Sequence, residues 1–257
     1  MDLGLHGKTA LITGGSRGIG RMTALRLAEE GAAVAICGRT SDTLERTLAE
    51  IRDRGASAHA VVADVTAPGE AERFVAESAA ALGGVDLLVA NVGGSVGGDL
   101  VDSSDEEWVR TFDITLFHAV RSIRAAVPRM SERGGGSAVI ISSISGWKPA
   151  PRAQYGAAKA AEIFLAGALA WELAPQRIRV NTVSPGSTIF PGGGWERFQG
   201  RDPERFAEFE RREFPWGRLG SAEEIADVVT FVLSQRANWI NGANIPVDGA
   251  QGRPNAF

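Results

Sequence analysis

This chain predicts an α/β fold: a doubly wound parallel sheet of about seven strands with helices on both faces. Three observations carry that expectation. Short β-branched runs alternate with stretches rich in Ala, Leu, Glu and Arg. The runs are nearly continuous in apolar residues, as strands are when helices cover both faces of a parallel sheet. A glycine-rich turn, Thr13-Gly14-Gly15-Ser16-Arg17-Gly18-Ile19-Gly20, stands between the first run and the first helical stretch.

Each element has a local cause. Residues 9–13 read as the first strand, and 19–30 as a helix stopped by Gly31, a C′ glycine. Residues 33–37 form the second strand, 41–54 a helix ended by Gly55, and 58–62 the third strand. A helix over 68–82 and a fourth strand over 85–90 follow. Ser104 is placed to cap a long helix, with Glu107 at capping-box spacing. Residues 137–142 make the fifth strand, and the next helix carries Tyr155. The sixth strand spans 179–184 and the seventh 244–247. Right-handed crossovers are expected. No linker, repeat or low-complexity tract interrupts the pattern, so residues 1–257 are predicted to form a single domain. Only the stretch 186–216 breaks the alternation. It holds Gly192-Gly193-Gly194 with Trp195, Phe198, Phe206, Phe209, Phe214 and Trp216. It predicts a lid over the end of the sheet, hinged at the glycines. Packing of the lid onto the body is the plainer reading of those rings, and lining of an apolar substrate cleft is the functional one.

Composition excludes several classes. The 257 residues are 44% apolar and 23% charged with a net charge of -4, so a core is available and no basic footprint for nucleic acid exists. No apolar run is long enough to span a membrane. Residues 1–8 lack the cationic start and apolar core of a secretory signal, and a cytoplasmic location is expected. The lone cysteine, Cys37, lies in an apolar run and reads as a buried, inert thiol. His6, His59 and His118 have no metal-ligand spacing, and no metal is predicted. No G-x-S-x-G turn is present to support a hydrolase.

The chemistry is concentrated in Tyr155, the sole tyrosine, and Lys159, one turn further along the same helix. Residues at i and i+4 share a face, so a phenol and an ammonium stand side by side. A neighbouring cation favours the phenolate, which suits a tyrosine to proton transfer near neutral pH. The glycine turn supplies the second half. Glycines let backbone N–H groups approach a pyrophosphate, and a helix N-terminus adds favourable partial charge.

The turn is G-x-x-x-G-x-G, and with Tyr155 and Lys159 the chain resembles the short-chain dehydrogenase/reductase family over almost its whole length, most nearly the 3-oxoacyl-acyl-carrier-protein reductase-like members. The resemblance implies a Rossmann-type fold. It implies cofactor contacts from Gly14, Ser16, Arg17, Gly18, Ile19 and Gly20. It adds Asp64 and Val65 at the adenine, Asn91 and Gly93 after the fourth strand, and Pro185 and Gly186 beside nicotinamide. Asp248-Gly249 matches the family's terminal element. Tyr155 becomes the general acid/base of a ketone–alcohol interconversion, Lys159 its partner and ribose ligand, and a serine the holder of the substrate oxygen. The S-x-x-G register selects Ser143, while a common family spacing to the tyrosine selects Ser142; Ser143 is preferred, because strand ends fix register while the following loop can lose a residue. Thr115 stands where the family keeps an asparagine that holds a relay water, and Val92 where it usually has alanine. Trp147 is a further candidate to border substrate.

An acidic residue near the end of the second strand would bind a ribose 2′-OH and repel a 2′-phosphate. Here the strand ends in Gly38-Arg39, and Arg17 sits in the turn. Guanidinium forks favour phosphate, so NADP(H) is predicted over NAD(H). The partners expected are a small carbonyl or alcohol substrate and, by resemblance, further copies of this chain in a tetramer. Small residues at Ala157, Ala161 and Ala168 permit close helix approach. The rival expectation is a non-catalytic NADP(H)-binding or redox-sensing protein.

Overall fold

The apolar runs assemble into one seven-stranded sheet in the computed structural model, which describes residues 2–252. The strands are β1 (Thr9–Thr13), β2 (Ala33–Gly38), β3 (Ala58–Val62), β4 (Leu87–Ala90), β5 (Gly136–Ile141), β6 (Ile178–Pro185), β7 (Thr188–Ile189), β8 (Gly220–Ser221) and β9 (Asn244–Val247). The main sheet runs β3-β2-β1-β4-β5-β6-β9 with every pairing parallel, and β7 and β8 form a separate two-stranded piece. The order of strands reverses between β1 and β4. In sheets of this kind the crevice beyond the strands' carboxyl ends at that point takes ligands.

The helices are α1 (Gly18–Glu29), α2 (Ser41–Asp53), α3 (Glu70–Leu82), α4 (Asp105–Phe112), α5 (His118–Glu132), α6 (Ala153–Leu173), α7 (Gly194–Arg201), α8 (Pro203–Glu213) and α9 (Ala222–Leu233). Alternation along β1 explains the layers. Ala10 and Ile12 join a cluster with Leu25, Leu27, Ile225 and Val229 from α1 and α9. Leu11 points the other way, into a cluster with Phe74, Ile123, Met130 and Ala166 from α3, α5 and α6. Successive side chains on opposite faces are thus both buried, which is why the run had to be apolar throughout.

Gly31 and Gly55 follow α1 and α2 with φ near 79°, as C′ glycines. Ser104 and Glu107 complete a reciprocal capping box at α4. Most boundaries fall within a residue of the sequence expectation; two are displaced further and one helix is broken. Gly69 is left-handed at φ 79°, so α3 opens at Glu70 and not at residue 68. β4 opens at Leu87, because buried Asp86 before it accepts the Thr9 N–H at 2.9 Å and pairs with Lys8 and Arg133. The expected long helix is interrupted by a π-helical turn, Asp113–Phe117, between α4 and α5. Such turns widen the backbone ladder and leave carbonyls without their usual partners.

Candidate active site

A cleft of about 1730 Å³ opens at the carboxyl ends of β1, β4, β5 and β6. It exceeds the usual ~300–1,000 Å³ of a single-ligand pocket, leaving room for a dinucleotide and a second molecule. All the site residues predicted from sequence line it except Gly20. Gly20 lies beneath the turn, where a Cβ would come within 2.4 Å of the Gly14 carbonyl oxygen. Its part is close helix–strand packing.

The turn is built for an anion. Gly14 and Gly18 take positive φ, at 66° and 53°. A Cβ on Gly15 would strike Ile36 at 2.5 Å. Arg17 precedes α1 in extended conformation, offers no side-chain cap, and the first turn of α1 holds no acid. The N–H groups there are left for a ligand, so the residues present fit a pyrophosphate. Asn91 braces this turn from β4: its Nδ2 donates to the carbonyls of Thr13 at 3.1 Å and Gly14 at 3.2 Å. Val92 packs under Gly14, where an added Cβ would stand 3.0 Å from Cγ2.

Further along the crevice, Arg17 and Arg39 are both exposed and make no ion pair among the described residues. Asp64 accepts from Thr66 Oγ1 at 2.8 Å and Thr66 N at 3.1 Å. Burial alone would raise its carboxyl, but these bonds and the fields of Arg39 and Arg110 carry it below the usual carboxylate range.

The other wall is the junction of β5 with α6. Half-buried Tyr155 stands with the Lys159 Nζ 5.7 Å from its ring centroid. Lys159 is buried; its Nζ donates to the Ile141 carbonyl at 2.7 Å and pairs with Glu162 at 3.0 Å. Burial pulls the ammonium down, yet the Glu162 charge, then Tyr155, more than reverse this and hold it raised. The same burial pushes the Glu162 carboxyl well above the usual range, with Lys159 opposing. The two candidate serines part company here. Ser142 is buried and its Oγ donates to the Lys159 carbonyl at 3.0 Å. Ser143 Oγ accepts from Ser145 N at 3.1 Å, which leaves its own proton unspent.

Thr115 lies in the π-helical turn and does not line the cleft. Its Oγ1 donates to the Gly94 carbonyl at 2.7 Å and faces the Gly94 N–H at 3.3 Å, tying that turn to the loop after β4. Trp147 is likewise not a lining residue; the next residue, Lys148, is, and it binds Asp248 at 2.7 Å. Gln251 closes the same corner, accepting the Ser187 N–H at 2.6 Å beside Pro185-Gly186. Over the cleft, Phe206, Phe214 and Leu219 form a small core with Trp195, Phe198 and Phe209. Trp195 stacks on Phe209 at 4.7 Å between centroids. Trp216, grouped with them from sequence, is 74% exposed and stands outside. The glycine triplet is also less loose than expected: Gly194 is already in α7, and a Cβ on Gly193 would meet the Phe190 carbonyl at 2.8 Å.

Sequence reasoning missed Glu162, His118, Lys148 and Gln251. Only Glu162 carried a signal, an acid three residues after a lysine on one helix. His118 is fully buried at the start of α5, with both ring nitrogens lacking a hydrogen bond of good geometry.

A family model described as Enoyl-(Acyl carrier protein) reductase matches residues 14–250. Dehydrogenase/reductase SDR family member 4 of Homo sapiens is 36% identical over 249 residues, which are 95% of this chain and 87% of that protein. Isoepoxydon dehydrogenase of Penicillium expansum is 34% identical over 258 residues, 97% of this chain and 96% of that one. L-sorbose reductase from Gluconobacter frateurii, complexed with NADPH and L-sorbose, superposes with a TM-score of 0.93 at 30% identity, covering 100% of both chains. A 7α-hydroxysteroid dehydrogenase complexed with NADH and 7-oxo glycochenodeoxycholic acid gives 0.91 at 27% identity, over 99% of this chain and 98% of that one. Fold and likeness together define an oxidoreductase that uses a nicotinamide dinucleotide. The chain belongs to the short-chain dehydrogenase/reductase family.

His118 generates a prediction. Burial, then the Lys159 charge, push its imidazole down to about 3, against partial support from the Ile114 and Thr115 carbonyls. Its folded value lies below its unfolded one, so the fold favours the neutral ring. The stability this contributes is complete above about pH 6.5 and is lost as pH falls from there towards 3. Compared at each pH, the wild type is expected to lose melting temperature relative to His118→Leu as pH drops from 7 to 4. A difference that stays constant with pH would contradict a neutral buried ring.

Proposed function

We propose that this protein is an NADP(H)-preferring oxidoreductase that interconverts a ketone or aldehyde and an alcohol, with Tyr155 as general acid/base. The observation that carries the reading is the meeting of Tyr155, Lys159 and the unspent Ser143 hydroxyl on one wall of a cleft whose other wall is the glycine turn. Bound nicotinamide dinucleotide supplies the hydride donor or acceptor. Gly14 to Ile19 would hold its pyrophosphate at the N-terminus of α1, and Asp64, Val65, Asn91, Gly93, Pro185 and Gly186, which line the same cleft, would hold the rest. Ser143 donates its hydroxyl proton to the substrate oxygen and orients it. Tyr155 gives a proton to that oxygen in reduction and takes one in oxidation, with the Lys159 ammonium beside its ring.

Arg17 and Arg39 support the cofactor preference. Two exposed guanidinium groups without acidic partners among the described residues flank the place where a 2′-phosphate would lie. The relatives with a bound cofactor named above include one with NADPH and one with NADH, so the choice rests on this chain's own residues. Residues 186–216 act as the substrate lid. Trp195, Phe198 and Phe209 serve both the lid's small core and the cleft wall, which favours a partly apolar substrate. α6 supports association between copies. Its outer face carries Ala157, Ala160, Phe164, Ala168 and Trp171, with Phe164 80% and Trp171 87% exposed.

Following NADPH absorbance against a panel of ketones, Tyr155→Phe is expected to lower kcat/KM at least a hundredfold. Ser143→Ala is expected to cost more than Ser142→Ala. Unchanged turnover in Tyr155→Phe sinks the mechanism, and absence of turnover with every ketone favours a cofactor-binding protein without catalysis. Arg39→Ala is expected to lower kcat/KM for NADPH about tenfold while leaving NADH within roughly threefold. Equal losses with both cofactors would remove the 2′-phosphate role. Light scattering at micromolar concentration is expected to give a tetramer, and a monomer there would refute the association.

A further inference from the structure

Lys159 carries three N–H donors. One is spent on the Ile141 carbonyl at 2.7 Å. A second faces the Glu162 carboxylate, whose oxygens lie 3.0 and 3.3 Å from Nζ. One remains for the cleft. It emerges beside Gly93, where an added Cβ would stand 3.0 Å from Nζ, so the missing side chain keeps that path open.

Glu162 has no use in the reaction described so far. It is 0% exposed, and Lys159 is its only ion-pair partner among the described residues. A carboxyl buried in the sheet-facing side of a helix is costly without a reason, since an apolar residue would pack there. Nor does Thr115 provide for Lys159, because its hydroxyl is committed to the Gly94 backbone.

We propose that Glu162 is the counter-ion that keeps the buried Lys159 charged and aims its remaining N–H at the cleft, making it a positioning residue for the Tyr155–Lys159 pair. The proposal rests on the acid/base reading of Tyr155. Charged and polar groups face this pair from every packed element. Tyr155 lies on the same helix, the Ser142 hydroxyl and Ile141 carbonyl come from the end of β5, and the His118 ring comes from α5 with Arg121 behind it. The His118 ring is neutral, and among the described residues Glu162 supplies the only carboxylate paired with the ammonium. Removing it leaves an ammonium 2% exposed with Tyr155 as its remaining favourable neighbour among the described residues, and burial then favours loss of its proton.

The test uses the fact that the chain has just three lysines, Lys8, Lys148 and Lys159. In full-length protein grown with isotope-labelled lysine, each ε-methylene gives its own NMR signal, and Lys159→Met assigns the third by its loss. In Glu162→Gln the Lys159 signal is expected to titrate at least about one pH unit lower than in wild type. Lys8 and Lys148 stay unmoved, and Glu162→Asp lies between. The pH profile of kcat should gain an alkaline fall at the lowered midpoint, with Glu162→Asp recovering part of the loss. Should the amide variant fail to fold, Glu162→Met, of similar volume and no charge, is titrated in the same way. A Lys159 midpoint unchanged in the neutral variant overturns the proposal. Turnover retained in Tyr155→Phe would instead sink the acid/base reading, an outcome the lysine titration neither requires nor affects.

Discussion

The site hangs on a single attachment: a buried ammonium fixed between a strand end and its own helix. The bond from Lys159 Nζ to the Ile141 carbonyl joins α6 to the tip of β5, and Ser142 returns the link by donating to the Lys159 carbonyl. Two bonds in opposite senses fix both the height and the rotation of α6 against the sheet. Tyr155, one turn earlier on that helix, inherits its position from them. Gly146 completes the seat, because a Cβ there would meet the Lys159 backbone at 2.8 Å. The helix approaches the β5 loop that closely only because this residue has no side chain. The small residues of the segment are therefore a condition for placing the phenol.

The opposite wall depends on the same economy of atoms. Gly15 and Gly20 let the turn and the start of α1 sit against Ile36 of β2 and the Gly14 carbonyl at distances that a Cβ would violate. Asn91 then ties β4 to that turn through both the Thr13 and Gly14 carbonyls. Since β1 and β4 are the strands where the order reverses, the brace spans the crevice's floor. An asparagine serves because one amide offers two N–H donors on a fixed plane. Its assignment from sequence was to the cofactor; what its side chain does here is hold the turn in shape.

Much of the fold was legible because its causes are local. The strands at Ala58–Val62 and Asn244–Val247, the C′ glycines and the capping box at Ser104 all express forces acting within a few residues. What escaped notice depended on distant partners. β4 begins late because Asp86 answers Thr9, Lys8 and Arg133, residues far along the chain. The π-helical turn at Asp113–Phe117 has no breaker residue to announce it; it accompanies the tie from Thr115 to Gly94. The tiny β7–β8 pair has only two residues per strand, too few for any periodic signal. At the site, residue types marked the phenol, the amine and the glycine turn. They did not separate Ser142 from Ser143, because that distinction lies in which backbone group each hydroxyl meets. Trp216 and Trp147 misled for the same reason, as ring size says nothing about which way a loop turns.

The departure at Thr115 and the presence of Glu162 belong to one electrostatic arrangement. An amide at that turn would offer donors and acceptors towards the lysine, whereas a threonine hydroxyl closes locally on Gly94. Beside it, His118 is fully buried and held neutral, so it adds no charge to the region. The lysine then has a carbonyl, a carboxylate and an open donor, and among the described residues no second cation pairs with that carboxylate. Desolvating two ions together is tolerable only when their contact is close and their remaining bonding capacity is used. Here the contact is close at 3.0 Å, but the ammonium keeps one N–H for the cleft and Glu162 Oε2 has no hydrogen bond of good geometry, so the pair is held at a cost to stability. A protein that needed only a stable helix would place an apolar side chain at position 162. An ion pair there makes sense where the charge on the amine is itself the thing to be preserved.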